Sequence, residues 1–172
     1  MDSEQLTAGT GKKTLHRLAA ELDAPMVVVT VVGPDGSRSG CLVGFSTQCS
    51  IRPPRALACI SKKNHTLSVA TAADVAAIHW LAEDDRDVAE LFGGETGDEI
   101  DKFERCSWRP GPGGVPILAG VKGWIAGPVV GRFDVGDHVA FVIHAEAGSD
   151  EEPSADQLGF QAVKDIDPGH EP

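Results

Sequence analysis

Residues 26–60 hold three apolar runs separated only by turn formers, and that close spacing limits the possible folds more than any other feature of the chain. Residues 26–32 (MVVVTVV) are rich in β-branched side chains and run into Gly33-Pro34-Asp35-Gly36, which reads as a strand entering a tight turn. Residues 40–47 form the returning strand. Residues 55–60 (RALACI) form a third, entered through Pro53-Pro54, neither of which can donate to a ladder. A doubly wound sheet needs strands alternating regularly with long helices, so a Rossmann arrangement is disfavoured.

The remaining elements follow the same economy. Leu15, Leu18, Ala19 and Leu22 share one face of an amphipathic surface helix that Pro25 ends. Residues 64–73 favour a short helix and 75–81 (VAAIHWL) a strand. Asp84 is placed to cap an acidic helix over 84–92 that Gly93-Gly94 stops. A further short helix is expected over 98–103, and a loop over 109–114 (RPGPGG), whose GxGG pattern lacks a preceding strand and is weak evidence for nucleotide binding. Strands are expected over 117–130, interrupted near Gly127-Pro128, and over 138–146. The first 147 residues read as one domain, mainly β with helical insertions, and residues 148–172 as a polar acidic tail, mobile around 149–156 (SDEEPSAD).

Charge narrows the function. The chain has 172 residues and a formal net charge of −11, yet residues 36–73 contain no acid while carrying Arg38, Arg52, Arg55, Lys62 and Lys63. That segment reads either as an anion site or as a core-crossing stretch that happens to lack acids. The acidic balance elsewhere argues against a nucleic-acid partner. Cys41, Cys49, Cys59 and Cys106 form no CxxC pair, and three lie in apolar runs, which implies reduced thiols and a cytoplasmic protein. The first 13 residues lack the apolar core of a leader and no run of about 18 apolar residues occurs, so export and membrane insertion are not expected.

Five blocks in order carry a resemblance: residues 40–54 (GCLVGFSTQCSIRPP), 58–66 (ACISKKNHT), 77–81 (AIHWL) with Phe92 beyond an acidic helix, Asp101-Lys102-Phe103 with Trp108, and Gly136-Asp137-His138. Together they resemble the flavin reductase-like family, over roughly residues 15–146. The resemblance implies an FMN-binding split β-barrel, usually a homodimer, that transfers a hydride from NADH or NADPH to flavin. It also implies a monooxygenase as a receiver of the reduced flavin. A flavin-binding electron carrier or sensor, or a split barrel retuned for haem or a deazaflavin, are the other activities it allows.

FMN needs cations or amides for its phosphate, small polar groups for its ribityl chain and close backbone approach for its ring. Ser61, Lys62, Lys63, Asn64, His65 and Thr66 follow a strand and open a helix, so amides, the Thr66 hydroxyl and a lysine are candidates for the phosphate. Gly44, Phe45, Ser46, Thr47 and Gln48 are candidates for the ribityl chain and ring edge; the alternatives are a solvated turn and an ordinary strand end. Two departures from the family pattern stand out. The aromatic of Asn-Ser-Phe-Thr is displaced by one position, which on a strand moves it to the other face. His65 replaces an arginine, so FMN retention is expected to fall as pH rises above neutrality. By resemblance His138 is the catalytic candidate, steering a nicotinamide or assisting flavin protonation. His79 is either a polar group near the ring or a satisfied core residue. His16, His144 and His170 have no partners at metal spacing, and no metal is expected.

Overall fold

The computed structural model describes residues 9–97, 99–150 and 155–169. Its framework is an antiparallel sheet: β1 (Val27–Val32), β2 (Arg38–Val43), β3 (Ser46–Ser50), β4 (Arg55–Ser61), β5 (Val75–Trp80), β8 (Gly123–Asp134) and β9 (His138–His144) in the order β2-β1-β5-β8-β9-β4-β3, with β10 (Ala147–Gly148) added beside β8. A separate hairpin pairs β6 (Trp108–Pro110) with β7 (Pro116–Leu118). The two ends of the order, β2 and β3, are consecutive in the chain but do not pair, which leaves the barrel split there. Helices α1 (Thr10–Ala20), α2 (Thr66–Ala70) and α3 (Arg86–Gly94) lie outside the sheet order.

The run of valines makes β1 a central strand buried on both faces. Val27, Val29 and Val31 join Ile60, Ile78 and Phe141 in the barrel interior, while Val28 turns outward to a second cluster with Phe92, Phe103 and Leu118. Such double burial explains a strand without polar alternation. Thr30 is its buried polar member, and its hydroxyl donates to Pro116 O at 2.6 Å. The turn to β2 is fixed by Gly36, at φ +82°, and by Asp35, whose carboxylate accepts from the Ser37 amide and hydroxyl.

Several sequence expectations are revised. Residues 40–47 are not one strand: β2 stops at Val43 and β3 starts at Ser46, with Gly44-Phe45 as the break. The 109–114 segment is not purely loop, since Arg109 and Pro110 pair with Ile117 and Pro116. Gly127-Pro128 does not interrupt its strand. There β8 changes partner, pairing with β5 through Pro128 and with β9 from Val129, and the missing side chain of Gly127 admits the carbonyl of His144. The interruption falls at 119–122 instead, around Gly120 at φ +76°. The carboxylate closing the turn before α3 is that of Asp85, which accepts from the Ala82 amide at 2.7 Å. A 3-10 turn over Lys102–Glu104 stands where a helix from 98 was expected, and Asp98 lies outside the described residues.

The acidic C-terminal segment also behaves differently. Residues 151–154 lie outside the described residues, but 155–169 return to the body. Leu158 and Val163 bury themselves beside Met26, Leu81 and Phe92, and the Leu158 amide donates to Leu81 O at 2.9 Å. Helix α1 forms as expected, yet none of its residues is buried. Leu15 and Leu18, on the expected packing face, are 66% and 53% exposed, as is Leu22 beyond the helix end at 65%. The helix end is tied to the body through Gln161, whose side chain donates to Ala20 O at 3.1 Å. Of the first 13 residues, on which no leader was expected, 1–8 lie outside the described residues; no described helix is long and apolar enough to cross a membrane.

Candidate active site

The break between β2 and β3 opens onto a cavity of about 430 Å³. One wall is the end of β2 and the start of the break, with Leu42, Val43, Gly44 and Phe45; opposite stand Ser61, Asn64 and His138. Met26 and Phe160 extend the apolar lining, and His16 and Ala19 of α1 complete the rim. Mostly apolar walls with a few polar groups are the composition a flat heteroaromatic ligand needs. The residues present therefore fit the ring of FMN.

The polar groups come together through strand register. Ser61, the last residue of β4, is the Cα partner of His138, the first of β9. The Lys62 amide donates to Asp137 O at 2.9 Å, stitching the loop after β4 to the turn before β9. Gly136, at φ +124°, makes that turn, and its amide donates to the Asp134 carboxylate at 3.1 Å. Lys62 Nζ meets the same carboxylate at 2.7 Å, which holds the Asp134 carboxyl below its usual range. The hydrogen bond to His138 likewise lowers the Asp137 carboxyl. Asp137 is thus ionised, and His138 Nδ1, 2.7 Å from Asp137 Oδ1, carries the shared proton, leaving Nε2 as the second ring nitrogen.

Five of the expected site residues, Gly44, Phe45, Ser61, Asn64 and His138, share this cavity. Phe45 is not on a strand, so the displaced aromatic reaches the cavity from the break instead of turning to the far face. Ser46, Thr47 and Gln48 begin β3 outside it: the Thr47 hydroxyl donates to Gln48 O and the Gln48 side chain, through Nε2, to Ser50 O. The Lys63 amide donates to Ser61 Oγ at 3.3 Å. Thr66 is committed inward, its hydroxyl 2.9 Å from that of Ser39 and its amide donating to Asn64 Oδ1 at 2.9 Å. Thr66 is thus buried, with its hydroxyl satisfied inside the protein.

His65 lines a different, polar cavity of about 340 Å³, with Arg38, Asp101 and Lys102. Lys102 is 6% exposed; its ammonium donates to Phe92 O at 3.1 Å and Gly40 O at 3.5 Å, and burial pushes its pKa down. Burial also raises the adjoining Cys41 thiol to about 11. His79 is fully buried in β5, bound by backbone on both ring nitrogens, and belongs to neither cavity. Of its two sequence readings, it is the satisfied core residue. His144 Nδ1 lies 3.0 Å from Pro54 O, and His170 lies outside the described residues.

The acid-free segment spreads its cations over separate places: Arg38 stacks on Trp108 at 4.8 Å and pairs with Asp101, while Lys62 is held by Asp134. Sequence reasoning missed Met26, Leu42, Phe160 and the α1 residues of the cavity, because apolar residues on a wall leave the same pattern as apolar residues in a core.

An open antiparallel barrel with an apolar cavity at its split, edged by a loop of small polar residues and a histidine, defines a split-barrel cofactor-binding domain. The chain belongs to the flavin reductase-like family, whose domain matches residues 19–164. It is 32% identical over 130 residues to the stachydrine N-demethylase reductase subunit Stc3 of Rhizobium meliloti (strain 1021), across 76% of this chain and 55% of that protein. It is 30% identical over 147 residues to the FMN reductase (NADH) RutF 1 of Methylorubrum extorquens (strain PA1), across 85% of this chain and 72% of that one. The solved structure of nitrilotriacetate monooxygenase component B from Mycobacterium thermoresistibile is similar with a TM-score of 0.72 at 25% identity, over 83% of this chain and 79% of that chain. The chain spans about half the length of the first of these relatives.

Proposed function

We propose that this chain is an FMN-binding flavin reductase that uses NADH or NADPH. The observation that carries the reading is the convergence of Gly44, Phe45, Ser61, Asn64 and His138 on one largely apolar cavity in a family of flavin reductases. Gly44, Phe45, Ser61, Asn64 and His138 would hold FMN, which when bound would supply the capacity to accept a hydride from a reduced nicotinamide. The protein's own part is orientation and a dry wall. Leu42, Val43 and Met26 exclude water from one side, while Ser61 and Asn64 offer a hydroxyl and an amide group to a polar ligand edge. Asp137 holds the proton on His138 Nδ1, which leaves Nε2 as the ring nitrogen that exchanges a proton with a ligand.

A monooxygenase component as receiver of reduced flavin is supported by relatives that are a demethylase reductase subunit and a monooxygenase component B. A homodimer is part of the same reading, supported by the exposed Leu15 and Leu18 of α1 and by the exposed Leu22, which lines the cavity. Cytoplasmic residence is supported by four free cysteines. The test is steady-state oxidation of NADH and of NADPH with and without added FMN. Flavin-dependent oxidation of either supports the reductase; bound FMN without turnover supports an electron carrier instead.

A further inference from the structure

Phe45 is a large apolar side chain left 65% exposed, yet its backbone is fixed. Its carbonyl accepts from the Cys59 amide at 2.9 Å, which anchors the break between β2 and β3 to β4. Its ring meets the imidazole of His138 edge to face, with centroids 5.2 Å apart and an interplanar angle of 61°. Both side chains line the same cavity. The imidazole's polar contact is the neighbouring Asp137, whose side chain is 87% exposed. A solvated contact between adjacent residues selects which nitrogen carries the proton but restrains the ring weakly. The Phe45 ring supplies a second restraint, because an edge-to-face pair fixes the tilt of the imidazole. A single hydrogen bond to a solvent-exposed carboxylate competes with water and leaves the ring free to swing with its partner.

We propose that Phe45 is a positioning residue for His138, holding the imidazole in one orientation at the cavity wall. The kinetic arm of its test rests on the reductase reading; the spectroscopic arm does not. Phe45→Ala and Phe45→Leu remove the ring with and without loss of apolar bulk, and Phe45→Tyr keeps it; the site's exposure leaves folding intact, checked by circular dichroism. In the cofactor-free full chain, the His138 ring protons, assigned with His138→Gln, shift in Phe45→Ala and Phe45→Leu as the Phe45 ring current is lost. They stay near the wild-type position in Phe45→Tyr.

In turnover with added FMN, Phe45→Ala and Phe45→Leu lower kcat roughly two- to tenfold, with KM for the nicotinamide changed less, and Phe45→Tyr restores kcat. His138 ring protons unmoved in both ring-deleted variants overturn the inference. So does a kcat equal to wild type in both. A wild-type protein without NAD(P)H turnover rejects the reductase reading alone, and the proton shifts then decide the role of Phe45.

Discussion

The amide of Leu118 donates to Nε2 of His79 across 3.1 Å, while His79 Nδ1 donates to Val28 O at the same distance. One imidazole thereby joins β7 to β5 and β1, beside the Thr30 hydroxyl that holds Pro116. The bond from Leu118 needs Nε2 unprotonated, whereas Nδ1–H still donates to Val28 in the charged ring; burial dominates and lowers the His79 pKa from 6.5 to about 4. The unfolded chain therefore takes up a proton that the folded chain refuses between those values. Stability is fully present above pH about 6.5 and declines as pH falls toward 4, by roughly 3 kcal/mol in all. Urea denaturation between pH 4 and 7 measures this. His79→Leu is expected to cost about 2–4 kcal/mol at pH 7, by stranding one buried donor and one buried acceptor, and to flatten that acid limb.

Gly127 has no room for a side chain: a methyl group there overlaps the carbonyl oxygen of His144. Gly127→Ala is expected to lose more than about 2 kcal/mol. Gly11 in α1 faces open space, so Gly11→Ala is expected to gain roughly 0.5 kcal/mol. Thermal unfolding of both variants tests the contrast.

These two glycines illustrate how far the sequence could be read. The β-branched run of 26–32 and the turn at 33–36 were legible because local chemistry and burial agree there. Gly127-Pro128 looks like a strand end from composition, and only the change of partner from β5 to β9 makes it a bend within one strand. The tail was misread for a related reason: Leu158 and Val163 are isolated apolar residues in a polar stretch, and their burial depends on a groove built by residues far away in the chain. At the site, the polar block after a strand offered Ser61 and Asn64, and the family resemblance offered His138, and these three share one cavity. Thr66 and His79 looked equally polar, and only their buried partners reveal a structural role.

Leu158 is 2% exposed and its backbone pairs with Leu81. Leu158→Ala is expected to destabilise by about 2–4 kcal/mol, and truncation after residue 148 to destabilise further, since Val163 leaves with it. A chain cut there that unfolds at the full-length denaturant midpoint would contradict the packing of 155–169.

Lys62 is held by Asp134 at 2.7 Å beside the turn that carries His138. Asp134→Asn removes an anion next to the cavity loop and releases the lysine, so FMN is expected to bind roughly two- to threefold more tightly at low salt, the gain shrinking at high salt. Fluorescence titration of FMN at two ionic strengths checks it; equal or weaker binding would mean that the pair supports the loop more than it competes for anions.

The most direct measurement is anaerobic stopped-flow mixing of the FMN-loaded protein with NADH and, separately, with NADPH, following the oxidised flavin absorbance. Rapid bleaching by at least one donor is the expected result and names the electron source. Retained FMN with no bleaching by either donor would contradict a reductase.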